Sequence, residues 1–168
     1  MGWIGGLLIV AVGTGMGLYA SHRLRRRVVY LETCGRLLQA LWQEMSYTAR
    51  PMTDLWRRLA QCEGLCAFSL VRDTASALAT SSFADAFAAA VERAAEVGDI
   101  LPATRETLLA FGEGCGHTDL EGQQTHISYY RTLLTAQEEE ARRRYAEQGR
   151  VCRVLGLTAG VALALLLM

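Results

Sequence analysis

Phe111-Gly112-Glu113-Gly114-Cys115-Gly116-His117-Thr118-Asp119-Leu120-Glu121-Gly122-Gln123-Gln124-Thr125-His126-Ile127 is the stretch on which the fold of this chain depends. It sets four glycines, a cysteine and two histidines between two helical patterns. It is either a reactive loop or a corner between helices. As a reactive loop, Cys115-x-His117 with His126 offers three soft or borderline metal ligands, with Asp119 close by in sequence. A structural zinc site, however, normally shows two clear ligand pairs. A cysteine near histidine also suits nucleophilic catalysis. Gly112-x-Gly114-x-Gly116 follows a helical pattern rather than a strand, and no Lys-Ser/Thr follows it, so it is no phosphate loop of the Walker type. Glu113 and Asp119 make a pair of acids, but acids at a helix joint serve as caps and dipole partners.

The corner reading uses the same residues differently. Gly112, Gly114 and Gly116 are expected to supply left-handed conformations where a helix ends. Thr118 is expected to cap the next helix, with Glu121 three residues on completing a capping box. A tight α–α corner without catalytic residue, metal or cofactor is therefore expected. A metal-binding membrane protein using Cys115, His117 and His126 is the alternative.

Outward from the corner the chain reads as helices. Ala, Leu, Glu, Gln and Arg dominate, all good helix formers, and β-type alternation is missing. Downstream, Leu120, Ile127, Leu134 and Ala141 recur every seven residues, with Tyr130 and Leu133 beside them. Glu138, Glu139 and Glu140 precede Arg142, Arg143 and Arg144 by four, the order that favours ion pairs along a helix. Upstream, Pro102 opens a helix with Leu101, Leu108, Leu109 and Phe111 facing inward. Ser82 and Asp85 form an N-terminal box for a helix carrying Phe83, Phe87, Val91 and Ala94, which ends at Gly98-Asp99. A segment from Cys66 to Leu78 offers Phe68, Val71 and Leu78 to the core. Another, in whose first turn Pro51 sits, offers Leu55, Trp56, Leu59 and Cys62. The first seam is Leu24, Val28, Leu31, Gly35, Leu38, Trp42 and Met45, at alternating steps of four and three. The expected class is all-α: an antiparallel bundle of about six helices, flanked by one membrane helix at each terminus.

The ends carry that last expectation. All charged side chains lie between Arg23 and Arg153, and the net charge is zero, against general nucleic-acid binding. Residues 1–21 are uncharged and long enough to cross a bilayer. The arginines Arg23, Arg25, Arg26 and Arg27 follow the apolar run, whereas a cleaved signal peptide places its positive charge before it. The positive-inside rule keeps the arginine side cytoplasmic. Residues 154–168 are apolar but cover only about 22 Å as a helix, so spanning draws on Val151 and Cys152, with Arg153 snorkelling. The expected organisation is a transmembrane helix over 1–21, a cytoplasmic helical domain over 22–150 and a transmembrane segment over 151–168. Reduced cysteines suit that compartment.

The order Phe111-Gly112-x-x-Cys115-Gly116-x-x-Asp119, then Gln123, the charged helix, Leu155-Gly156-x-x-x-Gly160 and an apolar Leu-Leu-Leu-Met end resembles the stage III sporulation protein AB family. Cys115 stands where that family usually has leucine, and Arg50-Pro51-Met52 stands for its Thr-Pro-Leu. The resemblance covers nearly the whole chain and is weakest between Cys62 and Asp99. It implies a non-enzymatic platform in the secretion-like channel complex that links mother cell and forespore during endospore formation. It implies a location in the cell membrane, as the mother-cell or outer forespore membrane; the arginines at both ends add the expectation of a cytoplasmic central domain with both termini outside. The implied partners are the sporulation AA-type secretion ATPase and other channel proteins of the same operon. The cytoplasmic part is similar to the F-domain of type II secretion and type IV pilus platforms, whose Gly-Glu-x-x-Gly corner matches Gly112 to Gly116. A platform subunit of such a system outside sporulation is the second reading. Arg57, Arg58, Glu113 and Asp119 are the polar residues expected to contribute a partner surface.

Overall fold

Helix boundaries in the computed structural model follow the caps and breakers along the chain. The structure describes the backbone of residues 2–47, 51–115 and 119–166, and the side chains of residues 15, 18–47, 51–115, 119–147 and 158. Among the described residues there are six helices and no strand: α1 (Gly2–Tyr47), α2 (Met52–Leu59), α3 (Ser69–Ala77), α4 (Phe83–Glu96), α5 (Pro102–Gly114) and α6 (Leu120–Leu166). Ser82 caps α4, its Oγ accepting from the Asp85 backbone N–H at 3.3 Å and donating to the Asp85 carboxylate at 2.6 Å. At the other end Gly98 takes φ +78°, which costs glycine no Cβ clash. There Asp99 N–H bonds Ala94 O and Gly98 N–H bonds Ala95 O, a Schellman closure. Pro102 opens α5 as expected. Pro51 sits one place earlier than expected: it is the N-cap of α2, and its carbonyl accepts from Asp54 and Leu55.

The chain forms two compact units, residues 30–138 and residues 1–29 with 139–168. Within the larger, α3 packs on α4, α4 on α5, and α2 on α3. Trp56, Phe87 and Phe111 are fully buried at its centre. The Trp56 indole donates to Val71 O at 3.2 Å, which ties α2 to α3 and satisfies the one polar atom of the ring. Helices α1 and α6 run antiparallel in this unit. Gln124 bonds Ser46 at 3.2 Å, and Arg131, seven residues on along α6, bonds Gln39, seven residues back along α1.

Several core assignments move. The buried face of α1 takes in Val28, Tyr30, Leu31, Cys34, Leu37, Leu38, Leu41 and Met45, while Trp42 is 37% exposed and Gly35 lies at the edge. Cys34 and Leu41 thus take core positions, and Trp42, with an apolar body and a polar N–H, sits at the rim. Cys62 lies beyond the end of α2 and is exposed. Leu120, the first member of the heptad on α6, is 44% exposed, whereas Ile127 and Leu134 are buried.

No helix is long and apolar enough to cross a membrane among the described residues. The expected spans 1–21 and 151–168 fall almost entirely on side chains outside that set. Their backbone is helical over residues 2–21 and 151–166.

On the rim of the α4–α5 contact Arg105 holds Glu92 in a fork: Nε to Oε2 at 2.8 Å and Nη2 to Oε1. The hydrogen bonds from Arg105 pull the Glu92 carboxyl below its ordinary value of 4.5. A depressed carboxylate contributes stability that is complete above its unfolded value and is lost as pH falls through the lower folded value. Glu92→Gln should therefore lower stability at pH 7 and flatten the loss of stability below pH 4.5, read by urea denaturation at a series of pH values. Equal acid slopes for the two proteins would remove the pair as a contributor.

Candidate functional site

The α5–α6 corner is built from the bare backbone of two glycines. Gly112 and Gly114 do not end the helix in left-handed conformations, as the sequence reading expects. Both lie inside α5, and the glycines with positive φ among the described residues are Gly64 and Gly98. What they supply is space. A Cβ on Gly112 would stand 2.5 Å from Phe87 Cδ1, and one on Gly114 would stand 2.2 Å from His126 Cε1. The chain leaves α5 at Cys115, with extended φ −72° and ψ 129°. Gly116, His117 and Thr118 lie outside the described residues. The α6 cap is Asp119: its Oδ1 accepts from Gly122 N–H at 3.1 Å and its carbonyl from Gln123 N–H at 2.9 Å. The expected capping box rests on Thr118, outside the described residues, while Glu121 is an exposed residue of the first turn, where its charge favours the helix dipole.

The residues that look reactive are packed. Cys115 is buried, and burial pushes its thiol up to about 12. Such a thiol stays protonated at neutral pH, whereas nucleophiles and ligands act as thiolates. The Nε2 of His126 lies 3.0 Å from the Phe111 carbonyl, which only accepts, so Nε2 carries the proton. The imidazole stacks on Phe111 at 5.5 Å between ring centres and tilts onto Tyr130 at 4.7 Å. These rings extend a ladder that runs from Trp56 to Phe87 at 5.5 Å and from Phe87 to Phe111 at 5.7 Å. It joins α2, α4, α5 and α6 through edge-to-face and stacked contacts, each worth about 0.5–1.5 kcal/mol beyond burial. Among the described residues no three His, Cys, Asp or Glu side chains are grouped to hold a metal. His117 is outside that set.

The expected polar surface is scattered. Arg57 and Arg58 are exposed in the last turn of α2, where Arg57 faces Asp54 at 3.7 Å. Glu113 is exposed on α5 and Asp119 is exposed at its cap. No hydrogen bond or ion pair among the described residues joins either arginine to Glu113 or Asp119. A polar groove that the sequence reading passed over runs along α1 instead. Glu32, Arg36, Gln39 and Gln43 line one side and Arg131, Thr135 and Glu138 of α6 the other, around about 450 Å³. The signal for it was present, since these four α1 residues recur at steps of four and three opposite the buried stripe.

The stage III sporulation protein AB family model matches residues 2–168, virtually the entire chain. The chain belongs to the stage III sporulation protein AB family. It is similar to stage III sporulation protein AB of Bacillus subtilis (strain 168), with 28% identity over 171 residues covering 98% of each chain. Its fold matches a solved structure of stage III sporulation protein AB with a TM-score of 0.60 and 22% identity, over 71% of this chain and 96% of that one.

Two outcomes follow from the packed corner. In an open helix Gly→Ala gains about 1 kcal/mol, and overpacking a core costs about 1–3 kcal/mol. Gly35 has nothing near its absent Cβ, so Gly35→Ala should stabilise the chain in thermal unfolding. Gly112→Ala should destabilise it by about 1–3 kcal/mol, because the buried Phe87 ring has nowhere to go. Gly114→Ala should also destabilise, and His126→Ala in the same chain should relieve part of the cost. Three alanines of equal effect would contradict the close approaches. In thiol labelling of the folded chain, exposed Cys62 and Cys66 should react at once and buried Cys34 and Cys115 only on unfolding. Fast modification of Cys115 would restore the nucleophile reading.

Proposed function

We infer that this chain is a non-enzymatic membrane platform in the channel complex that joins mother cell and forespore during endospore formation. The observation that carries the reading is the match to the stage III sporulation protein AB family along residues 2–168, apolar ends included. A relative of nearly equal length bears the same name in Bacillus subtilis. The corner supports a structural role, since its cysteine is buried and protonated and its described histidine is bonded to backbone.

In this reading the uncharged ends hold the chain in the membrane, and the helical unit of residues 30–138 faces the mother-cell cytoplasm. Its work is assembly. It seats the AA-type secretion ATPase and couples it to the channel proteins of the same operon. The polar groove beside α1 and the exposed residues Arg57, Arg58, Glu113 and Asp119 are the surfaces open to such partners.

Tagged full-length chain isolated in mild detergent from sporulating cells of its own host should bring down that ATPase. A reporter fused after Met168 should be active outside the cytoplasm. A reporter active only inside would overturn the second membrane segment. Recovery from growing cells with a pilus-type ATPase would move the platform outside sporulation.

A further inference from the structure

Formal charge divides sharply between the two compact units. Residues 30–138 hold 14 acidic residues against eight arginines, a net −6. Residues 1–29 with 139–168 hold nine arginines against three glutamates, a net +6. The zero net charge of the chain hides this opposition. Within the basic unit, Arg23 and Arg27 are four apart on α1 and share a face. The Nε of Arg27 is buried and has no hydrogen-bond partner. Arg27 as a whole is only part-buried, but an enclosed donor without a partner costs stability until something accepts from it. Its charged surroundings make matters worse. Burial lowers the Arg27 pKa first, and the neighbouring cations Arg23 and Arg144 lower it further. Arg144 is answered by Glu140 at 2.5 Å. The Arg27 Nε has no such answer.

We propose that Arg23 and Arg27 of α1, with Arg144 of α6 beside them, bind one phosphate-bearing anion supplied by the headgroup of an acidic phospholipid. The proposal rests on the membrane reading of the ends given above. Guanidinium groups match phosphate oxygens in a forked geometry, and an anion seated here would partner the buried Nε and relieve the crowding of like charges. The position favours a headgroup as the source. Arg23 comes two residues after the uncharged run 1–21, and Arg144 is followed by Arg150 and Arg153 before the uncharged run 154–168. Arg23 therefore falls at the chain position where a spanning helix leaves the bilayer and meets its phosphates, with Arg27 about one turn further on. Basic pockets between helices at that depth are where acidic lipids are held.

The test uses the full chain in neutral detergent, with binding followed by native mass spectrometry and thermal unfolding. Phosphatidylglycerol should bind and protect the chain, with an affinity about tenfold above that of phosphatidylcholine. Arg23→Gln with Arg27→Gln should remove that preference, with helicity by circular dichroism unchanged. Arg72→Gln with Arg93→Gln, on α3 and α4, should keep it. Should the glutamine pair fail to fold, Arg27→Lys keeps the charge, loses the fork and should still weaken phosphatidylglycerol several-fold. Equal binding of the two lipids, or a glutamine pair that folds and keeps the preference, overturns the proposal. Equal protection by inorganic phosphate at matched concentration overturns the lipid source. Flotation with vesicles of phosphatidylcholine alone separates the two readings. A chain that does not float removes the membrane reading and this proposal with it. A chain that floats but does not select phosphatidylglycerol removes only the proposal.

Discussion

The ring of Phe87 lies against the bare Cα of Gly112, and the rest of the helical unit depends on that approach. A side chain at position 112 would need the space that the ring fills, 2.5 Å from where its Cβ would sit. The absence of a Cβ lets α5 lie close on α4. Phe111, the residue before, then turns its ring onto Phe87 and its carbonyl towards His126. His126 fits because Gly114, one half-turn on, also lacks a side chain. The two glycines thus fix where α6 starts and which face it presents. The paired bonds of α6 to α1 through Gln124 and Arg131 extend the same placement two turns along. Interiors packed to this density transmit a displacement rather than absorb it, so a change at Gly112 acts on α6 through Phe87 and Phe111.

The corner also explains why a stretch rich in catalytic residue types serves packing. Cysteine buried away from cations behaves as a small hydrophobe. Cys115 is buried at the end of α5 and serves there as a packing residue. Histidine has a flat ring with one polar edge, which suits a site that needs stacking on Phe111 and Tyr130 and one donor for a helix carbonyl. Phenylalanine would stack but leave the carbonyl at the end of α5 unanswered. Glutamine would donate but forgo the stack.

Much of the fold was legible in sequence because its signals are local. Ser82 with Asp85, Gly98 and Pro102 each act within one turn of chain, and each acts in the structure where the spacing placed it. The membership of the family was legible too, from the order of motifs along the chain. The misreadings share one cause: they concern what lies across space. A glycine has two uses, positive φ and close approach, and only the neighbour across the contact separates them. Gly98 shows the first and Gly112 the second. Trp42 fits the α1 seam by spacing, yet the stripe turns through Cys34 and Leu41 because those face the core.

The division of charge places a further constraint on how the helical unit works. A unit of net −6 is repelled by an acidic surface, while one of net +6 on the same chain is drawn to it. At physiological salt such forces decay over about 8 Å, less than the length of a few helical turns. The attraction therefore acts on the arginines nearest the uncharged ends, and the acidic unit feels chiefly what comes close to its own surface. A partner meeting residues 30–138 meets an acidic face broken by eight arginines, and several of those are already engaged. Arg105 is held by Glu92, Arg131 by Gln39 and Arg36 by Thr33. At close range this favours partners whose approaching surface is basic, with the arginine contacts inside the unit limiting how far that acidic character is offset.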